Sequence, residues 1–343
     1  MIKPLLYVLL AAGAVQDARA QAPLDAATRT EIVETLASRM AQHYVDAAAG
    51  ARVAAELRRR LAHRDYDGIV EADAFAERLN GELVDLTHDD HAAVVTMADA
   101  LDPDRPLNVV FDAKRDDMEG AIRRYGAALR SGHADNYGFP DSRRLAGGIA
   151  YVRIDEFADP VVASQTVASE MGAVADAPAL ILDLRTNGGG NPETVTQLCA
   201  YLFDERPVHL NDQITRGIGR VLPVWTQPVA SDQRYGARKP VFVLVGPATF
   251  SAGENLAYTL QSLGRATIVG EPTRGGAHGG RGFRLAAHLL ASVPNRRTVN
   301  AVTGADWEGT GVQPDVRVPA AQALEMAQNL AQNLAQKPAA GRP

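Results

Sequence analysis

Residues 240–257 of the chain are Pro240-Val241-Phe242-Val243-Leu244-Val245-Gly246-Pro247-Ala248-Thr249-Phe250-Ser251-Ala252-Gly253-Glu254-Asn255-Leu256-Ala257. The apolar, β-branched run predicts a buried strand, and the Gly-Pro pair ends it. Leucines then recur at helical spacing, so Ser251 is predicted to lie at a strand-to-helix turn. Such a turn holds a hydroxyl rigidly beside free backbone N–H groups, which suits a nucleophile. The alternative is that Ser251 is only a helix N-cap, with Glu254 completing a capping box.

The chain around this stretch alternates short apolar runs with helical patterns from Gly148 onward. Predicted strands are residues 149–154, 179–184, 241–245 and 266–269, and predicted helices are residues 160–175, 192–203 and 251–263. This alternation predicts an α/β fold with a largely parallel sheet. Alternating apolar residues at 285–291 predict a late strand or hairpin, and residues 320–336 are helix-prone.

The N-terminal third has a different pattern. Residues 1–20 resemble a secretory signal peptide, with Lys3, a short apolar stretch and the small-x-small site Ala18-Arg19-Ala20. The alternative is an uncleaved interfacial anchor. Residues 27–86 predict several amphipathic helices, 107–112 an extended piece and 118–130 a helix. We therefore predict a signal peptide at 1–20, a helical domain at 21–105, an α/β core at 106–320 and a C-terminal helix and tail at 321–343.

The composition excludes several classes of site. The single cysteine, Cys199, excludes an internal disulfide framework and is predicted to be a core residue. The net charge of −6 and the lack of a dense basic cluster argue against a nucleic-acid partner. No Cys/His spacing predicts a metal site and no phosphate-binding loop is present, so we expect no cofactor and no metal.

A serine nucleophile needs a general base. The four lysines are Lys3, Lys114, Lys239 and Lys337. None lies between Ser251 and the C-terminal tail, and Lys239 precedes the strand that carries the serine, so a Ser/Lys dyad is not expected. Histidine is then the natural base. The candidates are His88 and His91, in a polar turn after a helix, and His278, in a glycine-rich loop. Each has the alternative of a plain turn residue.

A second loop combines a strand with three glycines. Asp183-Leu184-Arg185-Thr186-Asn187-Gly188-Gly189-Gly190 runs from a buried strand into a turn before a helix. Glycines let backbone N–H groups approach a ligand closely, so one of them could join the amide of Ala252 in stabilising an oxyanion. The alternative is a tight turn without a ligand.

Three segments together resemble the tail-specific (C-terminal processing) serine peptidase family. They are the segment 183–190 above, Thr249-Phe250-Ser251-Ala252-Gly253-Glu254, and Gly270-Glu271-Pro272-Thr273-Arg274-Gly275-Gly276-Ala277-His278. Residues 135–139, 148–154 and 307–315 further resemble repeats of interphotoreceptor retinoid-binding protein and its bacterial relatives. The matches run in the same order from about residue 25 to 320.

The resemblance implies specific site residues. The lysine of family members with a Ser/Lys dyad falls at the position of Gly276, so this chain departs from that pattern. In the tricorn-like branch the base is a histidine in an N-terminal turn, which His91 matches, and Glu308 matches the acidic member. The implied catalytic set is Ser251, His91 and Glu308, with Gly189 and Ala252 forming the oxyanion hole. We add His278 and Asn187 as candidate substrate-binding residues.

The resemblance also implies a crotonase-like (ClpP/crotonase-type) α/β core with a small helical N-terminal domain. Many members carry a PDZ domain between the N-terminal region and the core. About forty residues separate His91 from Asn136, and a PDZ domain needs roughly twice that number, so none is predicted. The predicted function is an exported serine peptidase, periplasmic or secreted, acting on a peptide or protein substrate without stable membrane insertion. The alternative is a non-catalytic binding protein for a small apolar ligand such as a retinoid or fatty acid. The oligomeric state stays open.

Overall fold

The computed structural model describes residues 23–97, 135–230 and 232–336. Seven α-helices occur in these residues: α1 Ala26–His43, α2 Ala47–Ala62, α3 Ala72–Thr87, α4 Pro160–Ala173, α5 Pro192–Tyr201, α6 Ala252–Ser262 and α7 Ala323–Gln336. Eleven strands occur in them: β1 Ala93–Thr96, β2 Asp141–Arg144, β3 Ala150–Arg153, β4 Leu180–Asp183, β5 His209–Thr215, β6 Val221–Trp225, β7 Val241–Val245, β8 Thr267–Gly270, β9 His278–Ala286, β10 Leu289–Asn300 and β11 Val316–Arg317.

A six-stranded sheet forms the centre of the α/β part. Its order is β11-β8-β7-β4-β3-β2, and all neighbours are parallel except β2, which is antiparallel to β3. Helices α4, α5 and α6 pack on one face, with Cys199 of α5 fully buried among them as predicted. Helix α7 covers the other face with Ala323, Ala327 and Ala331. Both faces are therefore buried, which explains why β7 is apolar throughout and β4 is apolar as far as Leu182.

A five-stranded antiparallel sheet forms a second layer. Strand β10 lies at its centre and pairs with β9 on one side and with β1 and then β5 on the other, while β6 pairs with β5. Helices α1 to α3 share one apolar cluster with β9 and β10, which includes the fully buried Leu36, Leu57, Leu79 and Ala291. The helical N-terminal part is thus completed by strands that come about 200 residues later in the chain.

The predicted elements of the α/β part agree with the structure to within one to three residues at each end. The late hairpin is longer than predicted, because the glycines at 279–282 weaken the sequence signal of β9. Strands β2, β5, β6 and β11 have no counterpart in the prediction. The predicted extended piece at 107–112, helix at 118–130 and signal peptide at 1–20 lie outside the described residues. Within the described residues, no helix combines the length and apolarity needed to cross a bilayer.

Candidate active site

Ser251 occupies the turn between β7 and α6, as its sequence context predicts. Its backbone has φ 51° and ψ −112°, which is unusual for a residue with a side chain. Thr249 anchors this turn, because its hydroxyl donates to the carbonyl of Leu184 at 2.8 Å and accepts from the N–H of Gly246 at 3.0 Å. The strained conformation is thereby tied to the end of the neighbouring strand β4.

The carboxylate of Glu254 connects this turn to the loop that precedes β9. It accepts from the N–H of Ser251 at 2.8 Å, as the capping-box alternative expects. It also accepts from the N–H groups of Gly275 at 2.6 Å and Gly276 at 2.8 Å, and from the Thr273 hydroxyl at 2.5 Å. Burial raises the pKa of Glu254, and these four donors satisfy a carboxylate that is otherwise shut from water.

His91 lies beside Ser251, with 3.0 Å between Nε2 and the serine Oγ. His91 is positioned by the turn that follows α3. That helix is capped at its C-terminus by His88, which adopts a left-handed conformation with φ 54°. Asp89 then accepts the N–H of His91 at 2.9 Å through Oδ1, which closes a short side-chain-to-backbone turn. A base and a nucleophile 160 positions apart in the sequence are thus brought to hydrogen-bonding distance.

The imidazole of His91 is packed between apolar side-chain atoms and backbone atoms. The Phe250 ring stacks on it, with centroids 4.5 Å apart and planes inclined by 19°. Burial lowers the pKa of His91 to about 4, and the charges of His278 and Arg274 lower it further against the opposing effect of Asp89 and Asp90. His91 is therefore neutral at pH 7, the state in which an imidazole can accept a proton.

Asp89 is the acidic residue beside His91. Its Oδ1 lies 3.8 Å from His91 Nδ1, too long for a hydrogen bond but close enough for a strong electrostatic interaction. Its Oδ2 contacts His278 Nδ1 at 2.8 Å and accepts from the Tyr44 hydroxyl at 3.2 Å. Burial opposes ionisation of Asp89, but the hydrogen bond and charge of His278 lower its pKa overall, and the same pairing raises the pKa of His278 against its own burial.

Glu308 is not placed against His91, which departs from the predicted catalytic set. Its Oε2 accepts from the N–H groups of Ala277 at 2.6 Å and His278 at 3.1 Å, and lies 3.5 Å from His278 Nδ1. Burial and the nearby charge of Asp89 raise the pKa of Glu308 to about 7. The loop between β10 and β11 directs Glu308 toward the start of β9, and the acidic residue beside His91 is Asp89.

Both residues predicted to bind substrate make hydrogen bonds within the protein. Asn187 is fully buried, donating to the carbonyl of Ile154 at 3.0 Å and accepting the N–H of Gly189 at 2.9 Å. His278 is committed to Asp89, as described above. Asn187 therefore shapes the triple-glycine turn, and His278 positions an acidic residue.

The predicted oxyanion donors flank Ser251, but only one of the two N–H groups is free. A Cβ placed on Gly189 would lie 2.9 Å from the Cβ of Ser251, so this turn packs directly against the serine. The N–H of Gly189 is already used by Asn187. The N–H of Ala252, in the first turn of α6, has no acceptor among the residues that the structure describes.

One group of side chains has a composition compatible with a metal ion. Asp89, His278 and Glu308 each offer one ligand atom, and these atoms lie within 4.8 Å of one another. The hydrogen bond between Asp89 and His278 and the two backbone donors to Glu308 Oε2 hold this group together without an ion, while Glu308 Oε1 is buried with no hydrogen-bond partner among the described residues.

Gly276 lies where a side chain would collide with the site. A Cβ there would be 2.3 Å from Phe250 Cε2 and 2.7 Å from His91 Cε1. Its backbone is fixed on both sides, since its N–H donates to Glu254 and its carbonyl accepts from Trp307 Nε1 at 2.9 Å. A lysine at this position is incompatible with the observed packing of His91. Lys239 is at the far end of β7, where its Nζ donates to the carbonyl of Ala175.

Two sequence profiles match the chain. That of peptidase family S41 matches residues 148–318, and that of the N-terminal domain of Peptidase_S41 in eukaryotic IRBP matches residues 11–122. The chain belongs to peptidase family S41. The resemblance seen in the sequence is thereby confirmed.

Relatives of this S41 chain include a "Carboxyl-terminal-processing protease" of Picosynechococcus sp., 31% identical over 133 residues, covering 37% of this chain and 29% of the relative. Another is "Carboxyl-terminal-processing peptidase 1, chloroplastic" of Arabidopsis thaliana, 27% identical over 173 residues, covering 49% of this chain and 33% of the relative. The matched part of the S41 chain thus spans about a third of these relatives' lengths.

Solved structures share the fold. A lipoprotein from Streptococcus agalactiae superposes with a TM-score of 0.59 at 14% identity, covering 89% of the S41 chain and 96% of the lipoprotein. The tricorn protease superposes with a TM-score of 0.51 at 14% identity, covering 89% of the S41 chain and 36% of the protease. The predicted α/β core with a helical N-terminal region is confirmed.

Asp89 is the functional candidate that sequence reasoning missed. Its position two residues before His91 is a usable signal, because an aspartate there can accept the histidine N–H and turn its carboxylate toward the ring. The contact with His278, 189 positions away, gives no local signal.

Proposed function

We propose that this S41 chain is an exported serine peptidase that cleaves peptide bonds through an acyl-enzyme on Ser251. The observation that carries the proposal is the 3.0 Å separation of Ser251 Oγ and His91 Nε2, in a buried site that keeps the imidazole neutral. An N-cap serine requires neither a buried histidine at its hydroxyl nor an acidic residue behind that histidine. The proposed export rests on the signal-peptide pattern of residues 1–20.

The chemistry follows from these positions. His91 Nε2 takes the proton of the Ser251 hydroxyl as Oγ attacks the scissile carbonyl, and then gives that proton to the leaving amine. The tetrahedral oxyanion is stabilised by the N–H of Ala252, and a second donor requires Gly189 to exchange its bond with Asn187 for one to the oxyanion. A water molecule, deprotonated by His91, then hydrolyses the ester and restores the serine.

We further propose that Asp89, rather than Glu308, stabilises the imidazolium that forms at His91. Its ionisation is supported by His278 and Tyr44, so a negative charge faces Nδ1 when the ring becomes positive. Glu308, with a pKa of about 7, supports the same network through the backbone of residues 277 and 278.

A fluorophosphonate probe tests the nucleophile. The chain from residue 21 to 343, measured by intact mass, is expected to gain one adduct that is lost in Ser251→Ala. The Ser164→Ala variant, which removes an exposed serine of α4, serves as the control and keeps the adduct. Absence of any adduct on a folded wild-type protein would reject the peptidase proposal and favour a binding protein for a small apolar ligand.

The acid limb of the pH–rate profile is expected to lie unusually low. Only neutral His91 can act as the base, and burial lowers its pKa to about 4, so kcat/KM falls as the pH drops toward about 4. If the pKa of His91 were the ordinary value of a histidine, about 6.5, the acid limb would lie at that pH. The measurement is kcat/KM from pH 3.5 to 8, with circular dichroism at each pH. A limb near pH 7 that disappears in Glu308→Gln would show that ionised Glu308 is needed instead.

A further inference from the structure

Arg274 joins the loop between β8 and β9 to the turn that carries His91. Its Nε donates to Oδ2 of Asp90 at 2.6 Å, and Asp90 directly precedes His91. The two charged residues are 184 positions apart in the sequence. Their side chains are 28% and 33% exposed, so water and salt screen this ion pair only in part. The pair therefore ties the turn after α3 to the part of the chain that carries the nucleophile.

The guanidinium of Arg274 also packs on the ring that contacts the proposed base. Its Cζ lies 4.7 Å from the centroid of the Phe250 ring, a distance typical of a cation–π contact. The His91 imidazole stacks on the same ring, and Phe250 directly precedes Ser251. Arg274 thus contacts the residue before the base and the residue before the nucleophile.

The backbone of Arg274 is fixed to the turn between β7 and α6. Its N–H donates to the carbonyl of Thr249 at 3.3 Å. The residues on either side of it, Thr273 and Gly275, both donate to the carboxylate of Glu254. The arginine side chain therefore extends from a segment that is bonded to the nucleophile's own turn.

The imidazole of His91 lacks the usual support at its second nitrogen. Its Nδ1 is shut from solvent and has no hydrogen-bond partner among the described residues, with Asp89 Oδ1 3.8 Å away. In a serine–histidine pair, a hydrogen bond at Nδ1 ordinarily fixes the orientation of the ring. Here the orientation depends on packing against Phe250 and on the position of the backbone turn, and Arg274 contacts both.

We infer that Arg274 is a positioning residue, which acts through Asp90 and Phe250 to hold the His91 imidazole against the Ser251 hydroxyl. This inference rests on the proposed peptidase function. Loss of either partner of the ion pair should slow the chemical step and leave substrate binding almost unchanged.

Peptide cleavage by Arg274→Met, Asp90→Asn and the double variant tests this role. Each single variant is expected to lower kcat about 10- to 100-fold with KM changed less than about threefold, because displacement of the base by about 1 Å costs about 10²-fold in rate. The double variant should lose no more than the more affected single variant, since both residues act through one contact. Arg274→Lys should recover part of the loss. The matched control is Arg58→Met, which breaks an exposed ion pair with Glu34 and should leave kcat unchanged.

The titration of His91 gives a readout that separates positioning from a general loosening of the site. Burial lowers the pKa of His91, and the charges of Asp89 and Asp90 oppose this effect. The charges of His278 and Arg274 lower the pKa further. Arg274→Met should therefore move the acid limb of kcat/KM to higher pH, and Asp90→Asn should move it to lower pH. A site that merely loosens admits water and moves the limb to higher pH in both variants, which would overturn the inference.

NMR of protein containing isotope-labelled histidine follows the same titration without catalysis, with the His91 signal assigned by its loss in His91→Ala. Single variants that cleave peptide and take up fluorophosphonate at the wild-type rate overturn the positioning role and leave the peptidase proposal standing. A His91 titration that is unchanged in both single variants also overturns it. Opposite shifts of this titration in the two variants of a chain that takes up no fluorophosphonate support the positioning of His91 and reject the peptidase.

Discussion

Replacement of His91 by alanine is expected to lower kcat/KM for peptide cleavage by roughly 10⁴- to 10⁶-fold, because Ser251 loses the only described base within reach of its hydroxyl. The residual rate comes from substrate binding and the oxyanion donor. Cleavage of a quenched peptide and the rate of fluorophosphonate labelling are the measurements, with the thermal midpoint confirming that the variant is folded. His63→Ala, an exposed histidine just after α2, is the control and should retain full activity. A folded His91→Ala protein with activity within tenfold of wild type would remove His91 from the mechanism.

The same assay separates the two acidic candidates. Asp89→Asn keeps the size of the side chain but removes the charge facing His91 Nδ1, so we expect a loss of about 10²- to 10⁴-fold in kcat. Glu308→Gln should cost less, about tenfold, because Glu308 contacts backbone N–H groups and His278 rather than His91. The reverse ranking would restore the Ser251, His91, Glu308 set predicted from the sequence.

Substitution of Gly276 by alanine is expected to lower both stability and activity. The added Cβ would overlap Phe250 and crowd His91, and Gly276 cannot retreat because Glu254 and Trp307 hold its backbone. Overpacking of this kind costs about 1–3 kcal/mol of unfolding free energy, and a displacement of the base by about 1 Å costs about 10²-fold in rate. The measurements are urea unfolding and kcat/KM.

Gly172→Ala is the matched control for this substitution. Gly172 lies in α4, and a Cβ there meets no atom within 4 Å. Its replacement should leave activity unchanged and stabilise the helix by up to about 1 kcal/mol. A Gly276→Ala protein that behaves like this control would show that the loop before β9 can move to accommodate the added Cβ. The close packing around His91 would then have no catalytic importance.

The local sequence predicted the elements that carry the nucleophile, because both depend on local pattern. Strand β7 is a continuous apolar run with both faces buried, and the glycine that follows it and the helical spacing after Ser251 are visible without the rest of the chain. Elimination of the lysines left His88, His91 and His278 as candidate bases, and only the family resemblance singled out His91. The sequence did not predict the pairing of strands that lie far apart in the chain. Strand β5 is rich in polar residues and is a strand because β10 pairs with it, more than 80 positions later.

The contacts of the acidic residues could not be predicted from the sequence for a related reason. Glu308 was assigned from a motif, and motifs state which residues are near the site but not which atoms meet. The position of Asp89 depends on Tyr44, directly after α1, and on His278 in β9, and these two segments become neighbours only when the helical part packs on the second sheet. Asn187 was predicted as a substrate contact because it lies in a glycine turn. Its side-chain amide makes hydrogen bonds within that turn and to the neighbouring strand end.

The division of the proposed catalytic pair between the two sheets has a consequence for the order of synthesis. His91 is held by the turn before β1, and β1 is paired with β10, which ends at Asn300. A growing chain therefore carries its base long before its nucleophile, and it carries both well before the strand that fixes their spacing has been made. The proposed pair should therefore come together only once β10 has been made and has paired with β1.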